Sequence, residues 1–160
     1  MIIINSSVTT IYGNVFKNCS SSLNLYYGGT IDNWLNMNLS SKEANTLYYI
    51  SNLYVLDEKG TVEYKGNKYS SLLSSTDIVI PSSMTNIKNY VFVNVTHLSK
   101  VYYCNTYSYR EASLSIGTSN TSLINATWYY FTNNGAEETT SGNWWYYDTD
   151  GTIIIEKVVE

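Results

Sequence analysis

Proline is nearly absent from this chain, with Pro81 the single instance in 160 residues. Histidine is as scarce, so a His-based catalytic triad or a multi-histidine metal centre would have to rest on His97 alone. Charge is thin at 14% of residues, yet 44% are apolar, which excludes a disordered chain. The net charge of −4 and the scatter of the nine basic residues argue against a nucleic-acid or anionic-membrane partner. No apolar run approaches the roughly 20 residues that span a bilayer, so membrane insertion is not expected. Met1-Ile2-Ile3-Ile4 lacks the basic start of a signal peptide, and Asn5 ends the run. The two cysteines, Cys19 and Cys104, form no Cys-x-x-Cys pattern; buried free thiols are their expected state.

What the chain has in abundance is tyrosine, 17 residues, together with Ser, Thr and Asn. Tyr, Thr, Ile and Val suit pleated, half-buried surfaces, so the composition predicts β structure. It also has an internal repeat. Shifting the segment that starts at Ile4 by 76 positions brings 11 of 27 residues onto identical partners, among them Ile4/Ile80, Ile11/Ile87, Phe16/Phe92, Asn18/Asn94, Tyr26/Tyr102 and Thr30/Thr106. Self-similarity of this kind signals stacked units. The first copy opens within its own strand, a phase that suggests a longer parent protein.

Strand readings follow from alternation. They fall on residues 2–4, 23–27 (stopped by Gly28-Gly29), 47–50, 53–56, 61–64, 77–80, 101–103 and 126–131. Asp57-Glu58-Lys59-Gly60 reads as the turn of a hairpin over 53–64 that interrupts the stack. Residues 31–41 hold a short helical turn, and 113–124 are turn-rich. Residues 132–142 form a loop, and a last hairpin at 144–155, around Asp148-Thr149-Asp150-Gly151, caps the stack.

Ile78-Val79-Ile80-Pro81-Ser82-Ser83-Met84-Thr85-Asn86-Ile87, with Phe92 and Asn94, resembles the BspA-type leucine-rich repeats of bacterial, often surface-exposed proteins. The first copy is similar at Ser7-Val8-Thr9, Ile11, Gly13, Phe16 and Asn18-Cys19. The chain departs from the family's pattern at Asn5 (proline expected) and Ser22 (leucine) in the first copy and at Val95 (cysteine) and Lys88-Asn89 (the glycine region) in the second. The resemblance implies a mainly β fold: a short leucine-rich-repeat solenoid with one parallel sheet, an inserted hairpin and a C-terminal capping hairpin. Residues 1–131 would form the repeat domain and 132–160 the loop and cap. It also implies an extracellular or cell-surface location. Within such a stack Leu25/Tyr27, Val101/Tyr103, Trp128/Tyr130, Phe16 and Phe92 should face the core. Tyr26, Tyr102 and Tyr129 should then stand outward as a ladder.

That ladder is the candidate binding site, since rigid amphipathic tyrosines suit protein or carbohydrate recognition. The competing reading is a ladder that only stabilises neighbouring strands. Asp57-Glu58, Glu137-Glu138 and Asp148/Asp150 fall in turns, and Ile154-Ile155 occupy the stretch where a calcium loop would need oxygen donors. Gly28-Gly29 forms no phosphate-cradling pattern. No catalytic residues, metal ligands or cofactor are expected. Asn-x-Ser/Thr sequons occur at Asn5, Asn18, Asn38, Asn94, Asn120 and Asn125 and matter only in a glycosylating host. The expected function is a non-catalytic protein- or glycan-binding module, the alternative a structural stalk or terminal cap of a larger surface protein or enzyme.

Overall fold

A computed structural model describes residues 1–50, 52–60, 62–72, 76–132 and 143–157. The loop expected over 132–142 and the Glu137-Glu138 pair therefore lie almost wholly outside the described residues. The fold is mainly β and its strands are mostly parallel. In chain order the first strands are β1 (Ile2–Ile4), β2 (Thr10–Ile11) and β3 (Asn24–Thr30). The short helix α1 (Ile31–Leu35), β4 (Asn38–Leu39) and β5 (Asn52–Leu56) follow. Then come β6 (Val62–Tyr64), β7 (Asn67–Ser71), β8 (Asp77–Ile80), β9 (Asn86–Ile87) and β10 (Lys100–Tyr103). The chain closes with α2 (Tyr107–Ser113), β11 (Ser115–Ile116), α3 (Thr121–Asn125), β12 (Thr127–Phe131), β13 (Asn143–Tyr147) and β14 (Ile153–Lys157).

Where one parallel sheet was expected there are two five-stranded sheets, β1-β3-β5-β7-β6 and β14-β13-β12-β10-β8, and two small ones, β2-β4 and β11-β9. The division has a local cause. Lys65 (φ 49°) and Gly66 (φ 75°) both adopt the left-handed backbone that a two-residue hairpin turn needs, so the hairpin is β6–β7 and not 53–64. β5 is instead a parallel partner of β3, and β7 adds antiparallel to its far edge. An antiparallel strand there ends the parallel ladder, and β8 begins a new one.

Two further expectations are corrected. β3 does not stop at Gly28-Gly29 but runs to Thr30 through a register shift. Residues 47–50, read as strand, are not one: Thr46–Tyr48 form a 3-10 turn, because buried Asn45 caps it by accepting the Leu47 N–H at 2.8 Å. The C-terminal hairpin is present: β13 pairs in parallel with β12, and β14 lies antiparallel on β13.

The 76-residue offset reaches beyond the sequence identities into backbone detail. Left-handed residues recur at Asn14/Tyr90 and Asn18/Asn94. The Tyr27 hydroxyl donates to the Val8 carbonyl, and Tyr103 does the same to Met84. α1 begins at Ile31 and α2 at Tyr107, each preceded by a threonine N-cap, Thr30 or Thr106.

The two copies share one core. Ile11, Phe16, Leu25, Tyr27, Trp34 and Leu53 from the first pack in the same cluster as Ile80, Ile87, Phe92, Val101, Tyr103 and Trp128 from the second. The inward positions expected by alternation are thus in the core. The seam between copies is stitched by hydrogen bonds. Trp34 Nε1–H donates to the Val91 carbonyl (3.1 Å), Asn45 Nδ2 to the Tyr90 carbonyl (2.6 Å), Asn94 Nδ2 to the Leu47 carbonyl (3.2 Å), and the Lys88 N–H to the Leu35 carbonyl (2.9 Å). Asn120, fully buried, performs the equivalent task one coil later. Its oxygen accepts from the Phe92 N–H, and its NH2 donates to the Lys88 and Gly117 carbonyls. Coils approach closely there: a Cβ on Gly117 would lie 2.6 Å from the Asn89 nitrogen.

Candidate functional site

Tyr26, Tyr102 and Tyr129 are not an exposed ladder. They are only 8%, 4% and 4% exposed, and Tyr26 lies in one five-stranded sheet while Tyr102 and Tyr129 pair in the other. Each packs under aromatic side chains carried by the hairpin strands that continue its own sheet. Over the first, Tyr26 stacks on Tyr54 (4.9 Å) and Tyr64 (4.7 Å), with Tyr69 edge-on at 5.2 Å. Over the second, Tyr102 lies 5.3 Å from Tyr129 and 5.5 Å from Trp145, whose fully buried indole donates to the Tyr103 carbonyl at 3.0 Å. Alternation along the strands correctly separates these tyrosines from the main core. It carries no information about what folds over the second face, and Tyr64, Tyr69 and Trp145 do so. Burial, with Tyr54, Tyr64 and Tyr69 nearby, raises the Tyr26 pKa above 10.0; burial, Asp77 and Tyr129 raise that of Tyr102.

The other candidates stay apart from one another. His97 is an exposed loop residue. Asp57 accepts from the Lys59 N–H and the Ser70 hydroxyl, and Asp150 from the Thr152 N–H, so both carboxylates serve their turns. Cys19 and Cys104 are free and half-buried. Burial and, secondarily, Asp32 push the Cys104 thiol up to about 11. Among the described residues no cluster of acidic, Cys or His side chains could hold a metal ion, and no helix is long and apolar enough to cross a membrane.

A groove opens elsewhere, at the seam between the two copies. It has a volume of about 310 Å³ and is lined by Thr10, Asn38, Leu39, Ser40, Asn86, Lys88 and Asn89. No family model, curated protein or solved structure matches this chain. The groove's chemistry has therefore to be read from its own residues.

Its walls are the two small parallel sheets. Ile11, Leu39 and Ile87 turn into the core, so alternation turns Thr10, Asn38 and Asn86 outward, with Tyr12, Ser40 and Lys88 two positions on. The coil that contributes β5 leaves for the β6–β7 hairpin without adding a strand to this face. β4 and β9 consequently face each other unpaired, and the groove lies between them. Sequence analysis missed these residues. The one available signal was Lys88-Asn89, standing where the resembled family has its glycine region.

Proposed function

We propose that the chain is a non-catalytic recognition module, a short leucine-rich-repeat solenoid of a bacterial surface or secreted protein, that binds a protein or glycan in the seam groove. The observation that carries this reading is the groove's composition. Amides, hydroxyls and one ammonium line it, with no carboxylate, thiol or imidazole among them. That set forms many hydrogen bonds and offers no paired nucleophile and base. The solenoid reading is supported by the parallel pairing of β1-β3-β5 and β8-β10-β12-β13 and by the coil-to-coil asparagine bonds. The surface location rests on the family resemblance alone.

The test is a binding screen of bacterially expressed chain against extracellular-matrix proteins and a glycan array, repeated with Asn38→Trp. Asn38 is exposed, so the indole would fill the groove without entering the core. Binding that disappears in the folded variant supports the reading; binding that survives it, or none at all, sinks it. A structural stalk is the second reading, favoured by the burial of all three ladder tyrosines. It expects no ligand in the screen.

A further inference from the structure

We propose that the groove's ligand is an acidic glycan, a sugar chain whose units carry carboxylates. The inference rests on the groove being the binding site and goes on to name what fills it. The lining presents donors. The Asn89 oxygen accepts the Thr118 N–H at 2.9 Å, an arrangement only the amide oxygen can make, which leaves its NH2 to donate elsewhere. The Asn86 oxygen likewise accepts the Ser115 hydroxyl at 3.1 Å. The Ser40 oxygen accepts the Gly13 N–H at 2.8 Å, which leaves its hydroxyl hydrogen to donate. Lys88 adds an ammonium. The described side-chain ion pairs are Lys42–Glu43 and Arg110–Glu111, and Lys88 belongs to neither.

A lining that donates from several directions and carries one positive charge suits a ligand rich in acceptors with a localised negative charge. A densely charged polyanion would meet the chain's net charge of −4. A sugar acid spaces its charges along a chain of hydroxyls, which Thr10 and Asn38 can both donate to and accept from. Beyond the lining, Tyr12 stands two positions past Thr10 and is 70% exposed, a flat ring that the C–H face of a further pyranose in the chain can meet. An extended peptide would add to the β4 or β9 edge through main-chain hydrogen bonds, but the lining offers its side chains Leu39 as the one apolar contact.

The experiment titrates the 160-residue chain with oligosaccharides of galacturonic, glucuronic and mannuronic acid and with their carboxyl-reduced forms. Calorimetry and amide chemical shifts are the readouts. At least one acidic oligomer should bind, with shifts centred on Thr10, Asn38, Ser40, Asn86 and Asn89, and carboxyl reduction should weaken it by about tenfold. Lys88→Met should erase that preference, whereas Tyr12→Ser should weaken acidic and reduced forms alike; unchanged unfolding midpoints would show both variants folded. Equal binding of acidic and reduced forms, or a preference that persists in Lys88→Met, overturns the proposal. A protein ligand blocked by Asn38→Trp, with no glycan bound, also overturns it while leaving the recognition module standing. If no ligand of any class responds to Asn38→Trp, both fall.

Discussion

Asn45 and Asn120 are fully buried amides in a chain with few buried polar side chains, and each joins two coils. Neither could be recognised in a sequence so rich in asparagine, because nothing local distinguishes a buried amide from a loop amide. Asn120→Ala strands the Phe92 N–H and two carbonyls without partners, so it should cost about 2–4 kcal/mol in chemical denaturation. The tyrosines give a residue-scale pH prediction. Burial raises the pKa values of Tyr26, Tyr27, Tyr102, Tyr103 and Tyr130 above the ordinary 10.0. Above pH 10 the unfolded chain therefore releases protons that the folded chain retains, and unfolding is favoured. Stability should be level with respect to these groups below pH 10 and fall as pH rises through their folded values. The share of tyrosinate absorbance that belongs to these buried rings should appear together with loss of circular dichroism. Cys104, with its thiol pushed up to about 11, should react with a maleimide at neutral pH far more slowly than a free thiol in solution.

At the scale of elements, the two hairpins decide the molecule's surface. β6–β7 lays Tyr64 and Tyr69 over Tyr26, and β13–β14 lays Trp145 over Tyr102 and Tyr129. Trp145→Ala removes the cover from one sheet and leaves the Tyr103 carbonyl unpaired. Its expected cost is about 3–5 kcal/mol, measured by denaturant unfolding, with a rise in the fluorescence of a dye that reports exposed apolar surface. Much of the element order was legible: β1, β5, β8, β10, β12 and the last hairpin follow from alternation and turn chemistry. The shift of the inserted hairpin was not, because Asp57-Glu58-Lys59-Gly60 is as good a turn by composition as Lys65-Gly66. Only the pairing of β7 with β5 separates the two. α2 was also missed, since Tyr107-Ser108-Tyr109 favours strand by propensity while Thr106 caps a helix there, accepting the Tyr109 N–H at 3.2 Å. Beyond the Lys88-Asn89 departure, the groove could not be read from the sequence. It joins residues from opposite sides of a seam, and Leu39 and Lys88 acquire a common wall only when β4 and β9 are brought face to face.

For the whole molecule, the consequence of a shared core is cooperativity. Trp34 belongs to the first copy and is tied to Val91 of the second, while Trp128 belongs to the second and Trp144 and Trp145 follow it. Heat or denaturant should therefore unfold both copies in one transition, with the fluorescence of a Trp34-only variant matching the far-ultraviolet dichroism. Separate midpoints would mean the seam is too weak to couple them. On the proposed binding role, the seam also sets how many ligands a protein of this architecture would hold. Two copies meet once and make one groove; three would meet twice, so valency would run one behind copy number. A third 76-residue copy inserted between the present two should add a second groove and raise apparent affinity for a long polymer well beyond twofold, by avidity alone.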